Sequence, residues 1–176
     1  MSRIISSMVD VMPVGDDATA RAVHALQLAP EQARYVGDIA FNLGDSLRDP
    51  MSEAMAVRVG DEVVGFYRLD FAPNAVAGRT LAEPSVGLRA LVIGRAWQGR
   101  GIGAQAMAAC RDDLRRRHPQ RALLVLTVNC ENHAGIAMYR KAGFVDTGEL
   151  YHGGSAGPQH LLLLRLQPSP TTERTP

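Results

Sequence analysis

Six consecutive residues, Gln98-Gly99-Arg100-Gly101-Ile102-Gly103, constrain this chain more than any other segment. They lie between a run that reads as a β-strand, Val86 to Ile93, and one that reads as an amphipathic helix, Gly101 to Arg117. A strand, a glycine-rich turn and a helix in that order leave the first N–H groups of the helix without partners, at the positive end of its dipole. Phosphate groups bind at such ends without needing a charged side chain. The glycines let the backbone approach a ligand closely, and Arg100 can add a charge-assisted contact. A pyrophosphate-bearing ligand is the first inference.

Three phosphate-loop patterns compete for the segment. A P-loop ends in Gly-Lys-Ser/Thr, whereas Gly103 is followed by Ala104-Gln105. The dinucleotide fingerprint needs G-x-G-x-x-G and an acidic residue ending the next strand. Here the spacing is G-x-G-x-G, and the run Ala122 to Val128 carries no acid. The third pattern, Q/R-x-x-G-x-G/A, is met by Gln98 to Gly103. With it the segment resembles the acetyl-CoA loop of the GNAT superfamily of N-acetyltransferases. Downstream, Val128-Asn129-Cys130-Glu131-Asn132 followed by Ala134, Tyr139 and Gly143-Phe144 is similar to a second pattern of that family: a strand ending in V-N-x-x-N, then a short helix. The resemblance is firm from Val86 to Leu166 and looser elsewhere.

The resemblance implies a single α/β (α+β) domain of the GNAT fold over residues 1–167, with a mixed, mostly antiparallel central sheet and helices on both faces. It implies acetyl-CoA as co-substrate, no metal, and transfer of an acetyl group to an amine. The cofactor-binding set carried over is Leu91, Val92, Ile93, Gln98, Gly99, Arg100, Gly101, Ile102, Gly103, Asn129, Asn132 and Tyr139. In the family the strand before the loop splays from its neighbour, often at a bulge, and frees backbone groups for the acetyl carbonyl and pantetheine. The oxyanion donor is accordingly expected at a backbone N–H of Leu91 to Ile93, that of Val92 first. Tyr139 matches the tyrosine that donates a proton to the departing thiolate, although a helical Tyr also serves well as a core residue. Asn132 matches the asparagine that positions the cofactor and equally suits the cap of the short helix. Glu83 is the first candidate general base, with Asp70, His152 and His160 behind it. A desolvated amine that loses its proton to water would need none of them.

Composition narrows the classes. A chain of 176 residues with 46% hydrophobic residues can bury a sizeable core. A formal net charge of +1 argues against a nucleic-acid partner held mainly by charge. The arginines Arg111, Arg115, Arg116, Arg117 and Arg121 suit a solvated helix C-terminus. No secretory signal and no apolar run of membrane-spanning length is evident. The cysteines Cys110 and Cys130 read as reduced thiols without metal-ligand spacing. A cytoplasmic protein acting on a small-molecule amine is expected, with no nucleic-acid or membrane partner and with homodimerisation open.

Along the chain, a strand is expected from near Ile4 to before Pro13, then a helix capped by Asp16 or Asp17 and running to about Leu28. A second helix is expected from Pro30 to about Leu47. Ala54–Val59 and Val63–Phe71 read as a hairpin about Asp61-Glu62, followed by a Pro/Gly/Ala-rich loop, 72–84. After the strand and helix already described come a nearly continuous apolar strand, Leu123–Val128, and a short helix, Ala134–Lys141. Phe144–Tyr151 and His160–Leu166 form a closing strand pair. Residues 168–176 are expected to be a disordered tail.

The acceptor is less legible. Pro30-Glu31-Gln32…Tyr35-Val36 and Ser46-Leu47 are similar to a pattern of bacterial diamine and polyamine acetyltransferase-like members. A polycation site should hold several carboxylates, and Glu31, Asp70, Glu83 and Glu149 are the main ones near the expected mouth. The family's Gly-Glu before the last strand is replaced by Gly157-Pro158-Gln159-His160. A protein N-terminus or ribosomal protein as acceptor, and a non-catalytic acetyl-CoA binder, are the alternatives.

Overall fold

The computed structural model describes residues 8–168. The expected start of the first strand near Ile4 and the expected tail beyond Pro168 lie outside the described residues. Strand β1 (Val9–Pro13) is followed by helices α1 (Asp17–His24), α2 (Pro30–Val36) and α3 (Ile39–Arg48). Strands β2 (Ser52–Val59), β3 (Glu62–Asp70) and β4 (Ser85–Ile93) follow. The chain closes with α4 (Ile102–Arg117), β5 (Leu123–Asn129), α5 (His133–Lys141), β6 (Val145–Tyr151) and β7 (Gln159–Arg165).

One sequence expectation changes here: the segment from Pro30 to Leu47 is two helices. Gly37 takes φ of 75°, in the left-handed region that ends helices. Asp38 then restarts the helix by accepting a hydrogen bond from the Phe41 N–H (3.0 Å). The first helix also stops at His24, short of Leu28.

Seven strands form one sheet in the order β1-β2-β3-β4-β5-β7-β6, and every neighbouring pair is antiparallel except β4–β5. The mixed, mostly antiparallel sheet of the expected fold is therefore present. Alternation along the strands splits the core between two faces. Met55, Val57, Tyr67 and Leu69 meet Ile102, Met107, Cys110 and Leu114 of α4 on one face. Ala54, Ala56, Phe66 and Val92 meet Val23 of α1 and Ile39 and Leu43 of α3 on the other. Arg117 and His118, at the end of α4, bond Glu53 on β2 (2.8 and 3.0 Å), which fixes that helix along the sheet.

Two irregularities of β4 create the site. Gly87 to Arg89 pair with Asp70 to Arg68, and Val92 and Ile93 pair with Phe66 and Gly65, so Ala90 and Leu91 together face the single residue Tyr67. This is a β-bulge, and Ala90 takes φ of 55° to make it. On its other edge β4 pairs with β5 only from Ser85 to Gly87. Beyond Gly87 and Val125 the two strands part, and a gap opens in the middle of the sheet.

The bulge depends on a small residue at Ala90, since a β-branched side chain is a genuine outlier at positive φ. An Ala90→Val variant should lose ~2 kcal/mol of stability in a urea titration, roughly the αL penalty plus strain. An unshifted midpoint would mean that the backbone at this position is not held in the left-handed region.

Candidate active site

The gap between β4 and β5 contains two connected cavities. The larger, about 610 Å³, runs from the gap along the start of α4 and one side of α5. The smaller, about 410 Å³, lies between the gap, the loop residues 75–78 and the end of α2. Both are lined by Tyr35, Val36, Leu91, Asn132 and Tyr139, so these five residues surround the passage joining them.

Local sequence explains the larger cavity. Gly101 is the N-cap of α4 in the left-handed region, with φ of 74°, and contributes no side-chain cap. The first N–H groups of α4 are therefore left without a capping partner and open at the cavity, where Gly101, Ile102, Gly103 and Ala104 all line it. Gly99 also takes φ of 74°. Gly103 serves packing: a Cβ there would come within 3.2 Å of Met138 Cγ on α5. A helix mouth of this kind can take a phosphate, and Lys141 adds a cation to the same cavity.

The phase of β4 decides which of its main-chain groups face the gap. The Gly94 N–H donates to the Val64 carbonyl (2.7 Å), and Val92, opposite Phe66, lies in the same phase two residues earlier. Main-chain groups of Val92 are thus directed at β3, and those of Leu91 and Ile93 at the gap. Two donors confirm this for Ile93: its carbonyl accepts from Gln98 Nε2 (3.0 Å) and Gln32 Nε2 (3.3 Å). The expectation that Val92 supplies the oxyanion donor is corrected accordingly. Its side chain is also fully buried on the α1–α3 face.

Other expected residues sort as follows. Gln98, Gly99, Gly101, Ile102, Gly103, Leu91, Ile93, Asn132 and Tyr139 all line the larger cavity. Arg100 does not; its guanidinium stacks over the Trp97 ring, 5.0 Å from the centroid. Asn129 is brought to the smaller cavity, where its amide makes two hydrogen bonds. It donates to the Ala156 carbonyl (2.8 Å) and accepts from the Glu131 N–H (2.8 Å), so it locks the turn after β5. Asn132 caps α5 by accepting from the Gly135 N–H (3.0 Å) while still facing both cavities.

Glu83 is not brought to the gap at all. It precedes β4 at the end where β4 and β5 remain paired, and both its oxygens bond Arg165 (2.9 and 3.1 Å). That partner holds its carboxyl below the ordinary range, which suits an ion pair and not a base. Asp70 is buried between Arg68 and Arg89 (3.0 Å each), His160 lies 3.3 Å from Asp146, and His152 is exposed and lines neither cavity.

Tyr139 hydroxyl makes no hydrogen bond among the described residues. Its ring packs edge-on to Phe144 at 5.4 Å between centroids. Burial raises the phenol above its ordinary value, so it keeps its proton across the neutral range. Cys110 is buried behind it, and burial pushes that thiol up to about 12, which leaves it inert as a nucleophile.

Gln32 was not among the expected site residues, although it lies within the quoted Pro30-Glu31-Gln32 run. Its Oε1 accepts from the Ala29 N–H (3.2 Å) and its Nε2 holds the end of β4, so α2 is pinned against the gap. Met138 and Tyr35 enter through packing that spacing alone does not show.

Gly101→Ala adds a Cβ at positive φ, a strain of about 1 kcal/mol, and tilts the open N–H groups of α4. Calorimetry should show affinity for coenzyme A falling at least severalfold, and undiminished affinity would remove the helix mouth from the binding site.

A family model described as the acetyltransferase (GNAT) family matches residues 20–144. No curated protein matches the sequence significantly. Among solved structures, the chain is similar to spermidine N-acetyltransferase from Vibrio cholerae, in complex with CoA and spermine. That match has 15% identity, covers 91% of this chain and 96% of the other, and has a TM-score of 0.68. Aminoglycoside acetyltransferase AAC(6')-Ib in complex with coenzyme A matches at 17% identity over 89% and 94%, with a TM-score of 0.67. The ribosomal-protein-S18-alanine N-acetyltransferase from Escherichia coli matches at 15% identity over 94% and 98%, with a TM-score of 0.64. At such identities these likenesses establish the fold.

Proposed function

As the chain belongs to the GNAT acetyltransferase family of acetyl-CoA-dependent N-acetyltransferases, we propose that it acetylates the primary amine of a small molecule by direct attack in a ternary complex. The observation that carries this reading is the passage between the two cavities, where Leu91 and Tyr139 meet. The diphosphate of acetyl-CoA binds the open N–H groups at the start of α4, and Lys141 adds charge. The Ile93 N–H takes a pantetheine carbonyl, and the acetyl group reaches the passage. The acceptor amine enters from the smaller cavity.

The chemistry follows from these positions. The amine nitrogen attacks the acetyl carbon, and the Leu91 N–H donates to the oxygen that gains negative charge. As the carbon–sulfur bond breaks, the Tyr139 hydroxyl gives its proton to the departing thiolate and regains one from solvent. The nitrogen loses its extra proton to water. No Asp, Glu or His lines the smaller cavity among the described residues, so the chain offers no dedicated base there. An acyl-enzyme route lacks a nucleophile, because Cys110 is buried as a thiol and Cys130 lines neither cavity.

A diamine or polyamine is the narrower reading raised by the α2 pattern. The same lack of a carboxylate in the smaller cavity weighs against it. The wall formed by residues 75–78 favours a small acceptor over an extended peptide.

Thiol release from acetyl-CoA with a panel of primary amines tests the reading. Tyr139→Phe should lower kcat by ~10²-fold, within the range of general-acid contributions, with affinity for coenzyme A little altered. An unaltered rate removes Tyr139 from the proton transfer. With no side-chain base, kcat/KM should rise with pH until the acceptor's own pKa is passed. Replacing the amine by one of lower pKa should then move that limb to lower pH by the same amount. A limb that stays fixed while the amine changes would reveal an enzyme base.

A further inference from the structure

The acceptor cavity differs in charge from what a polycation requires. Among its lining residues Arg89 is the sole charged one; Asn42, Thr127, Tyr151 and Gln159 supply neutral polar groups. The carboxylates expected near the mouth are accounted for elsewhere. Asp70 is 6% exposed and held by two arginines, Glu149 pairs with Arg79, and Glu83 pairs with Arg165. Glu131, on the turn before α5, pairs with Arg34 (2.8 Å). Glu31 lines only the larger cavity.

Arg89 is paired with Asp70, but that pairing does not use up its donors. It spends one N–H on Asp70 Oδ2 (3.0 Å), and its side chain is 51% exposed. Asp70 also bonds Arg68, which has two further acidic partners in Asp45 (2.7 Å) and Asp49 (3.8 Å). The Asp70 bond fixes the guanidinium at the cavity wall while most of its five donors stay open. A planar fork of this kind suits a carboxylate or a phosphate. Arg89 stands two residues before Leu91 on the same strand, so an anion at Arg89 leaves the rest of a small molecule within the passage.

We propose that the acceptor is a small primary amine carrying one anionic group, a carboxylate or a phosphate, which Arg89 binds while the amine points at Leu91 and Tyr139. The inference rests on the acetyltransferase reading above and names the substrate class of that site. A polycationic acceptor would meet that guanidinium and, among the described residues, no carboxylate lining the cavity, and unfavourable contacts of that kind discriminate as well as favourable ones do.

Initial rates of thiol release would be measured with four sets of amines. Amino acids and ω-amino acids carry the carboxylate, phosphoethanolamine the phosphate, and alkylamines and ethanolamine are the neutral counterparts. Spermidine and kanamycin are the polycations. At least one anionic set should exceed its neutral counterparts in kcat/KM by about tenfold or more, as charge-assisted hydrogen bonds imply, and the two anionic sets distinguish carboxylate from phosphate. Arg89→Gln should raise KM for the anionic amines more than for the neutral ones, and so collapse their ratio. Arg89→Lys should restore part of it, and retained affinity for coenzyme A certifies that both variants are folded. A preference for spermidine or kanamycin overturns the inference and leaves acetyl transfer standing, as does a ratio unmoved by Arg89→Gln. Turnover with none of the amines, although coenzyme A binds, overturns the small-amine reading and this inference together.

Discussion

The parting of β4 from β5 is the constraint on which the site depends. A parallel pair that ran its full length would use the main-chain groups of Leu91 and Ile93 in the ladder. Because pairing stops at Gly87 and Val125, those groups face a gap inside the sheet. A buried polar group without a partner costs about 1–3 kcal/mol, so such a gap persists only where neighbours hold it open. The bulge opposite Tyr67 sets the phase of β4, and Gln98 and Gln32 both bond the Ile93 carbonyl. On the other bank, Asn129 locks the turn after β5. What remains unpaired is available to a ligand.

The two halves of the gap divide the work by their chemistry. The larger cavity is built by glycines and a helix mouth, which recognise phosphate through the main chain and so need little from side-chain charge. The smaller one is lined by neutral polar side chains and Arg89. Nearby acids are paired off with arginines: Asp70 with Arg68 and Arg89, Glu83 with Arg165, Glu131 with Arg34. Among the described residues, the one charged side chain lining the acceptor site is thus a cation, although the chain carries nearly equal numbers of acidic and basic residues.

The loop and the Asn132–Phe144 segment were legible in the sequence because their geometry is local. Glycine spacing dictates positive φ at Gly99 and Gly101, and the helical spacing from Asn132 to Tyr139 puts the cap and the phenol on one wall. Strand phase was not legible. Whether Leu91 or Val92 faces the gap turns on the bulge at Ala90, which depends on pairing with Tyr67 far away in sequence. Glu83 is near β4 in the chain, yet it sits at the end of that strand away from the gap and Arg165 takes both its oxygens. Asn129 matches a motif, and the lock it forms with Ala156 and Glu131 depends on a loop that the motif does not show. The break between α2 and α3 is written in Gly37-Asp38, where Gly37 takes positive φ and Asp38 caps the next helix. Arg89 could not be found from spacing, since its environment is assembled from segments far apart in the chain.

An amide-detected NMR titration with coenzyme A tests the central claim most directly, because it reads main-chain N–H groups one residue at a time. The largest shifts should fall on Gly99 to Ala104 and on Leu91 and Ile93, with Val92, whose N–H is engaged by β3, moving much less. Shifts confined to another surface, or Val92 responding more than its two neighbours, would contradict the account of an opened sheet that binds the cofactor through its backbone.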